Sequence, residues 1–437
     1  MFDLGILNGE IYINNEFIEG NLYVKNGKIC DITTSYLESK KEINASGKFI
    51  LPGFIDPHVH FELTVGKYTS VDDFKTGSIS AAYGGITSYI DFLDPITTME
   101  ELEKAFETRM KLAQKSHTDF AFHATIANPT VEPHKLIKKC KELGVASIKL
   151  FTTYGQRMTK DKYISELLSL SSEEGIVVTV HAENDELIEK KEKIKMKEHS
   201  SVRSTLSETT EVVKLAEMAE YYEGQLYIVH LSSGYSLDVL KKKFSDIIGK
   251  NMVLESCPHY FYFDDSLYGK KHGYLFSMTP PLRSEKEKDL LVENFDYLQT
   301  IGTDHCPFNS KDKNKRYTNI MPMGIGGVEF SFSLMFTLFG EKVIDKFTSN
   351  VAKYYGLYPR KGNLLPGADA DIVIFDPEVD WIIEKHHSAA DYTVYKGLPV
   401  KGKVITTISN GKIIINNGKF IGSRKKGRFL RREEIRW

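Results

Sequence analysis

Six ionisable side chains stand where a hydrolytic site would need them. His58 and His60 lie two apart in PGFIDPHVHFE, Lys149 lies in VASIKLFTTY, His181 ends GIVVTVH, His230 ends QLYIVH and Asp304 ends YLQTIGTD. Side chains two apart on a strand point to the same side, so the HxH pair can grip one ion. Imidazole suits zinc and similar borderline metals, and Asp304 adds a hard oxygen ligand that can also accept a proton from an activated water. One histidine alone reads first as a hydrogen-bonded core or surface residue. Four of them, each at the end of an apolar run and joined by an aspartate, describe a hydrolytic metal site.

Lys149 is the unusual member. An ammonium buried in that apolar run would be costly to desolvate and would repel nearby cations. Carbamylated by carbon dioxide, as N6-carboxylysine, it becomes an anionic ligand able to bridge two divalent ions. The competing reading is a lysine snorkelling from the strand end to solvent. Two ions could share a hydroxide and polarise the carbonyl under attack, with Asp304 carrying the proton on to the leaving nitrogen. Tyr154, five residues beyond Lys149 on an expected loop, could stabilise an oxyanion or could simply pack. His117, His134, His199, His272, His386 and His387 fall away from strand ends and read as structural or surface residues.

These residues need a scaffold that brings strand ends together. Residues 52–358 carry repeated β-rich apolar runs (ITSYIDF, DFAFHATI, ASIKLF, GIVVTVHA, QLYIVHL, NMVLES) separated by charged segments of helical periodicity. That alternation predicts a TIM (β/α)8 barrel, whose strand C-termini meet at one mouth; a doubly wound open sheet is the alternative. Residues 1–51 instead alternate apolar positions with Asn and Gly turns, the rhythm of hairpins, and residues 359–420 return to it with VITTISNGKIIINNGKFIG. The two ends are expected to form one composite β-sandwich. Residues 421–437 form a tail whose Phe429, Leu430, Ile435 and Trp437 need covering, which predicts an oligomer contact in a homodimer or homotetramer.

At 437 residues the chain has room for two domains. Its net charge of −2, with 27% charged and 41% hydrophobic residues, is too balanced to suggest nucleic-acid or membrane partners. No apolar run approaches the roughly 20 residues of a membrane span, and the N-terminus lacks a signal-peptide layout, so a cytoplasmic setting is expected. Four scattered cysteines read as free thiols, and the lysine-rich EKKEKIKMKEH as a solvated surface.

The chain resembles the amidohydrolase superfamily in its hydantoinase and dihydropyrimidinase branch. The resemblance is carried over nearly the whole length by PGFIDPHVHFE, SIKLFTTYG, VHAEN, IVHLSS, ESCPHYF, MTPPLR, GTDHCPF and LYPRKGNLLPGADADIVIFDP. It implies hydrolysis of a C–N bond in a small cyclic amide or imide, opening a hydantoin or dihydropyrimidine ring to an N-carbamoyl amino acid. It further implies one metal on His58, His60, carbamylated Lys149 and Asp304, and a second on the same carbamate with His181 and His230; zinc, manganese and cobalt all fit. Asp304 becomes the general base, Tyr154 the donor to the carbonyl, and the backbone near Thr279 part of the substrate cleft. Dihydroorotases place an arginine after HxH, whereas Phe61 stands here and could line the cleft or belong to the core, as could Leu63, Phe92 and Phe151. GTDHCPF favours hydantoinases over allantoinases and dihydroorotases. In MPMGIGGVE, Met323 replaces the asparagine that contacts the ring in dihydropyrimidinases, which implies altered specificity. Dihydropyrimidinase-like scaffold proteins lose metal ligands; this chain retains every ligand position.

Overall fold

The structure, a computed structural model, describes residues 1–422, 426–432 and 434–437. Eight parallel strands follow one another around a barrel: Phe54–Asp56, Ile86–Phe92, Asp119–Thr125, Ser147–Phe151, Val177–His181, Leu226–Ile228, Met252–Ser256 and Thr300–Ile301. The ring closes where Val59 bridges His305 in parallel and the His60 N–H donates to the His305 carbonyl at 2.9 Å. The open-sheet alternative is thereby excluded. The second and third strands are buried at every position, as expected for strands covered on both faces.

The intervening helices carry their own boundary signals. Asp73 caps Phe74–Tyr83 by accepting from the Lys75 and Thr76 N–H groups, with Thr76 returning the bond. Pro133 opens Pro133–Leu143, and the helices Pro133–Leu143 and Asp161–Glu174 stop at left-handed Gly144 and Gly175.

The two chain ends form one nine-stranded sheet, in which Ile372–Ile382 pairs antiparallel with Phe49–Pro52. The Asn and Gly turns hold: Asn14, Asn15, Asn26 and Asn410 all have positive φ, as tight hairpins between twisted strands require. One feature differs from the hairpin expectation. Glu42–Asn44 and Phe49–Pro52 run parallel to Leu4–Ile13, because the chain crosses over after Thr33 instead of turning back. Eight of the nine strands join in one hydrogen-bonded path, with Glu42–Asn44 pairing Leu4–Ile13 off it. Alternation along them serves two cores: Ile50, Ile372 and Ile374 pack with Leu4, Ile6 and Ile408, while Phe49, Leu51, Val373 and Phe375 join the barrel core.

The tail is the larger correction. It runs across the N-terminal end of the barrel of its own chain: Phe120 N–H donates to the Arg428 carbonyl, Leu430 N–H to Phe120, Arg432 N–H to Gly144 and Ile435 N–H to Gly175. Leu430 and Ile435 are 2% and 1% exposed, Phe429 packs against the barrel core, and Trp437 sits edge-on to Tyr354. The tail's apolar residues are covered within the chain, so they supply no argument for a partner subunit. No helix among the described residues is long and apolar enough to cross a membrane.

Candidate metal centre and active-site mouth

The first barrel strand ends in Asp56, whose buried carboxylate accepts from the His58 N–H at 3.0 Å, the Thr303 N–H at 3.2 Å and the Thr303 hydroxyl at 2.6 Å. This clamp sets the residues just beyond the first and eighth strands side by side. His58 Nε2 and His60 Nε2 lie 3.2 Å apart, and Asp304 Oδ1 lies 3.2 Å and 3.0 Å from them. Across the mouth His181 Nδ1 lies 3.0 Å from His230 Nε2, and the His58 and His230 rings are 5.3 Å apart. Asp304 and His230 both take left-handed backbone, φ 49° and 40°. Such strain persists only where the surroundings over-determine it.

Lys149 is 2% exposed, with Nζ over the rings of Phe92 at 5.4 Å and Phe151 at 5.7 Å. Burial pulls its ammonium down to about 7, against the opposing attraction of Asp304 and Glu255. Burial likewise keeps His58 and His230 well below the usual imidazole range, the direction that favours the neutral ring with its lone pair. For Asp304, burial alone would raise the carboxyl, but the His58 and His60 rings outweigh it and hold it far below the ordinary carboxylate range.

A second layer orients the rings. His58 Nδ1 is 2.9 Å from Glu255 Oε1, and Glu255 also accepts from the Tyr227 hydroxyl and the His230 N–H. His181 Nε2 is 2.7 Å from Glu183 Oε2, and Arg203 grips both Glu183 oxygens at 3.1 and 2.5 Å. With those nitrogens donating to carboxylates, His58 Nε2 and His181 Nδ1 turn their lone pairs to the mouth, the arrangement carboxylates impose on metal-binding histidines. Phe92 forms the floor, stacked 4.5 Å under His60 and 4.6 Å from His123.

Tyr154 extends over the mouth with its hydroxyl 3.3 Å from His181 Nε2, and its ring covers the Arg203 guanidinium. Thr279, whose hydroxyl interacts with the Tyr154 phenol, and Met323 are both partly exposed. They sit on two segments bonded to each other, since the Gly324 N–H donates to the Ser277 carbonyl at 3.0 Å.

Phe61 does not line the cleft. It is fully buried, 4.9 Å from Tyr89 and 6.0 Å from Phe74, against the bare face of Gly77. The reason is the direction reversal from one residue to the next: His60 faces the axis, so Phe61 faces the first helix. Phe92 is likewise buried, as the floor of the site.

Glu183, Arg203 and Glu255 are the neighbours that sequence reasoning missed. Glu255 had a signal, a lone carboxylate in the apolar NMVLES, and Glu183 another, two residues from His181. Arg203 had none, because its role depends on proximity across the fold. Among the histidines read as structural, His199 is buried and donates to the Met278 carbonyl at 2.8 Å. A second carboxylate cluster, Asp119, Asp369 and Asp371, is already filled by the Lys361 ammonium.

The sequence profile of the Amidohydrolase family matches residues 49–414. The D-hydantoinase of Geobacillus stearothermophilus is 32% identical over 98% of this chain and 96% of its own length. The chain belongs to the amidohydrolase family, in its hydantoinase branch. The D-phenylhydantoinase of Escherichia coli O127:H6 is also 32% identical, over 90% of each chain. The crystal structure of dihydropyrimidinase from Brevibacillus agri superimposes with a TM-score of 0.91 at 28% identity, covering 100% of this chain and 99% of that one. In this amidohydrolase the donor set suits divalent ions: four ring nitrogens and a carboxylate oxygen converge from strand ends, with the far nitrogens of His58 and His181 held by carboxylates.

Proposed function

We propose that this amidohydrolase hydrolyses the C–N bond of a hydantoin- or dihydropyrimidine-type ring, releasing an N-carbamoyl amino acid. The observation that carries the reading is the convergence of His58, His60 and Asp304 with His181 and His230 around the buried Lys149, in a chain related over almost its full length to a D-hydantoinase.

His58, His60 and Asp304 would hold one divalent ion and His181 with His230 a second, Lys149 joining the two as a carbamate made with carbon dioxide. Zinc, manganese and cobalt all suit these ligands. When bound, the ions supply Lewis acidity that polarises the ring carbonyl and makes water a better nucleophile. Asp304 is anionic and reaches the mouth with 14% of its side chain exposed, so it can take a proton from the attacking water. As oxygen adds to the carbonyl carbon and the C–N bond breaks, the same proton passes from Asp304 to the leaving nitrogen. Tyr154 donates a hydrogen bond to the carbonyl oxygen as charge grows there. Thr279 and the Met323 segment face the amide edge, and methionine makes that wall more apolar than an asparagine would. All four cysteines are unpaired, which supports a reducing, cytoplasmic setting.

The test is turnover of dihydrouracil, hydantoin, 5-substituted hydantoins, allantoin and dihydroorotate by metal-loaded protein, with bound metal counted in the same sample. Ring opening of hydantoins or dihydrouracil at two metals per chain is expected; turnover of allantoin or dihydroorotate alone overturns the assignment.

A further inference from the structure

We propose that Lys313 is a positioning residue for substrate recognition, its ammonium tying together the two backbone segments, around Thr279 and Met323, that face the amide edge of the ring. The inference rests on the function proposed above and adds a residue whose own side chain does not reach the substrate.

Lys313 ends the one-turn helix Ser310–Lys313 and its side chain is fully buried. Its Nζ donates to the carbonyls of Leu275 at 3.0 Å, Ser277 at 2.9 Å and Gly324 at 2.6 Å. An ammonium has three N–H donors, and all three are spent on backbone. Two of the acceptors precede Thr279 and the third follows Met323, so one cation closes the gap between the segments. No carboxylate pairs with Lys313 among the described residues; burial lowers it to about 7, and carbonyl dipoles are what compensate its charge. Filling this space needs only an apolar side chain, which would cost far less to bury. What lysine adds is a common anchor for carbonyls of two separate segments. Gly324 is confined from the other side as well: its φ is 140°, and a Cβ there would meet the Cys306 carbonyl oxygen at 2.4 Å. Met323 therefore cannot shift without breaking the Lys313 contact, and recognition groups misplaced by an ångström lose much of their effect.

The experiment compares Lys313→Met with Lys346→Met, a second buried lysine that donates to the Leu298 carbonyl at the far end of the barrel. Steady-state kinetics on hydantoin and dihydrouracil, metal content, and hydrogen exchange of peptides covering residues 275–279 and 321–325 are measured for each. Lys313→Met is expected to raise KM about tenfold with kcat and metal content little changed, and to speed exchange in both peptides. Lys346→Met should lose stability but keep KM. Unchanged KM and exchange in Lys313→Met, or the same KM change in Lys346→Met, overturns the proposal. If Lys313→Met does not fold, Lys313→Gln, which keeps N–H donors, should show an intermediate KM; a wild-type KM there also overturns it. Should the unsubstituted protein open none of the rings, the proposed function fails by itself, and the exchange data alone decide whether Lys313 ties the two segments.

Discussion

Glu183 shows how one side chain can govern a site without entering it. Burial would raise its carboxyl, but Arg203 and the His181 ring outweigh that and hold it far below the usual range. It therefore stays anionic, keeps the proton on His181 Nε2 and leaves Nδ1 facing His230. Glu183→Gln preserves the shape and removes the charge; metal affinity should fall about 10–100-fold, read by titration against a competing chelator. Affinity equal to the parent would show that His181 needs no such partner. Lys149 is the second case. Lys149→Ala should lose both metal retention and turnover, and acetate or propionate should restore part of each by standing in for the carbamate. Full activity in that variant without added acid would refute a bridging role.

Between the elements, the decisive geometry is the junction of strand ends with the helices outside them. Asp56 binds Thr303, and Asp91 accepts from the Phe61 and Phe92 N–H groups while paired with the buried Arg109 at 3.3 Å. These polar ties fix the loops that carry His58, His60 and Asp304. Phe61 fills the space between the barrel and the helix Phe74–Tyr83 on the opposite side. Phe61→Ala should cost about 3–5 kcal/mol of stability, measured by urea unfolding, while the ranking of substrates in the panel stays as in the parent. A changed ranking at unchanged stability would return Phe61 to the cleft.

Across the whole molecule the barrel, the sheet and the tail are fastened at one place. Lys361 lies among Asp119 of the barrel, Asp369 and Asp371 of the stretch leading into the sheet, and Arg428 of the tail bonds to Asp119 and Asp369. Arg432 continues inward and donates to the Phe122 carbonyl and the Ser147 hydroxyl. Deletion of residues 427–437 would strip the cover from Phe120 and Phe122 and leave part of this network without its cation. The melting temperature should drop by several degrees with the mass of the particle in light scattering unchanged. A change in mass with no loss of thermal stability would mean that the tail serves assembly after all.

The residues that converge at the mouth were legible in the sequence because each is a polar residue closing an apolar strand-like run, and a parallel barrel gathers such positions at one mouth whatever its loops do. The family motifs made the same residues specific. Hairpin turns were legible too, since Asn and Gly at positive φ are a local requirement. What only the tertiary structure decided depends on partners far apart in the chain. Glu255 beside His58, Arg203 beside Glu183 and Lys313 beneath two separate segments leave no local pattern. The facing of Phe61 depends on a reversal of side-chain direction just past a strand end. The tail could be read from its apolar residues as needing cover, but hydrophobicity has no direction, and the covering surface turned out to be the underside of its own barrel.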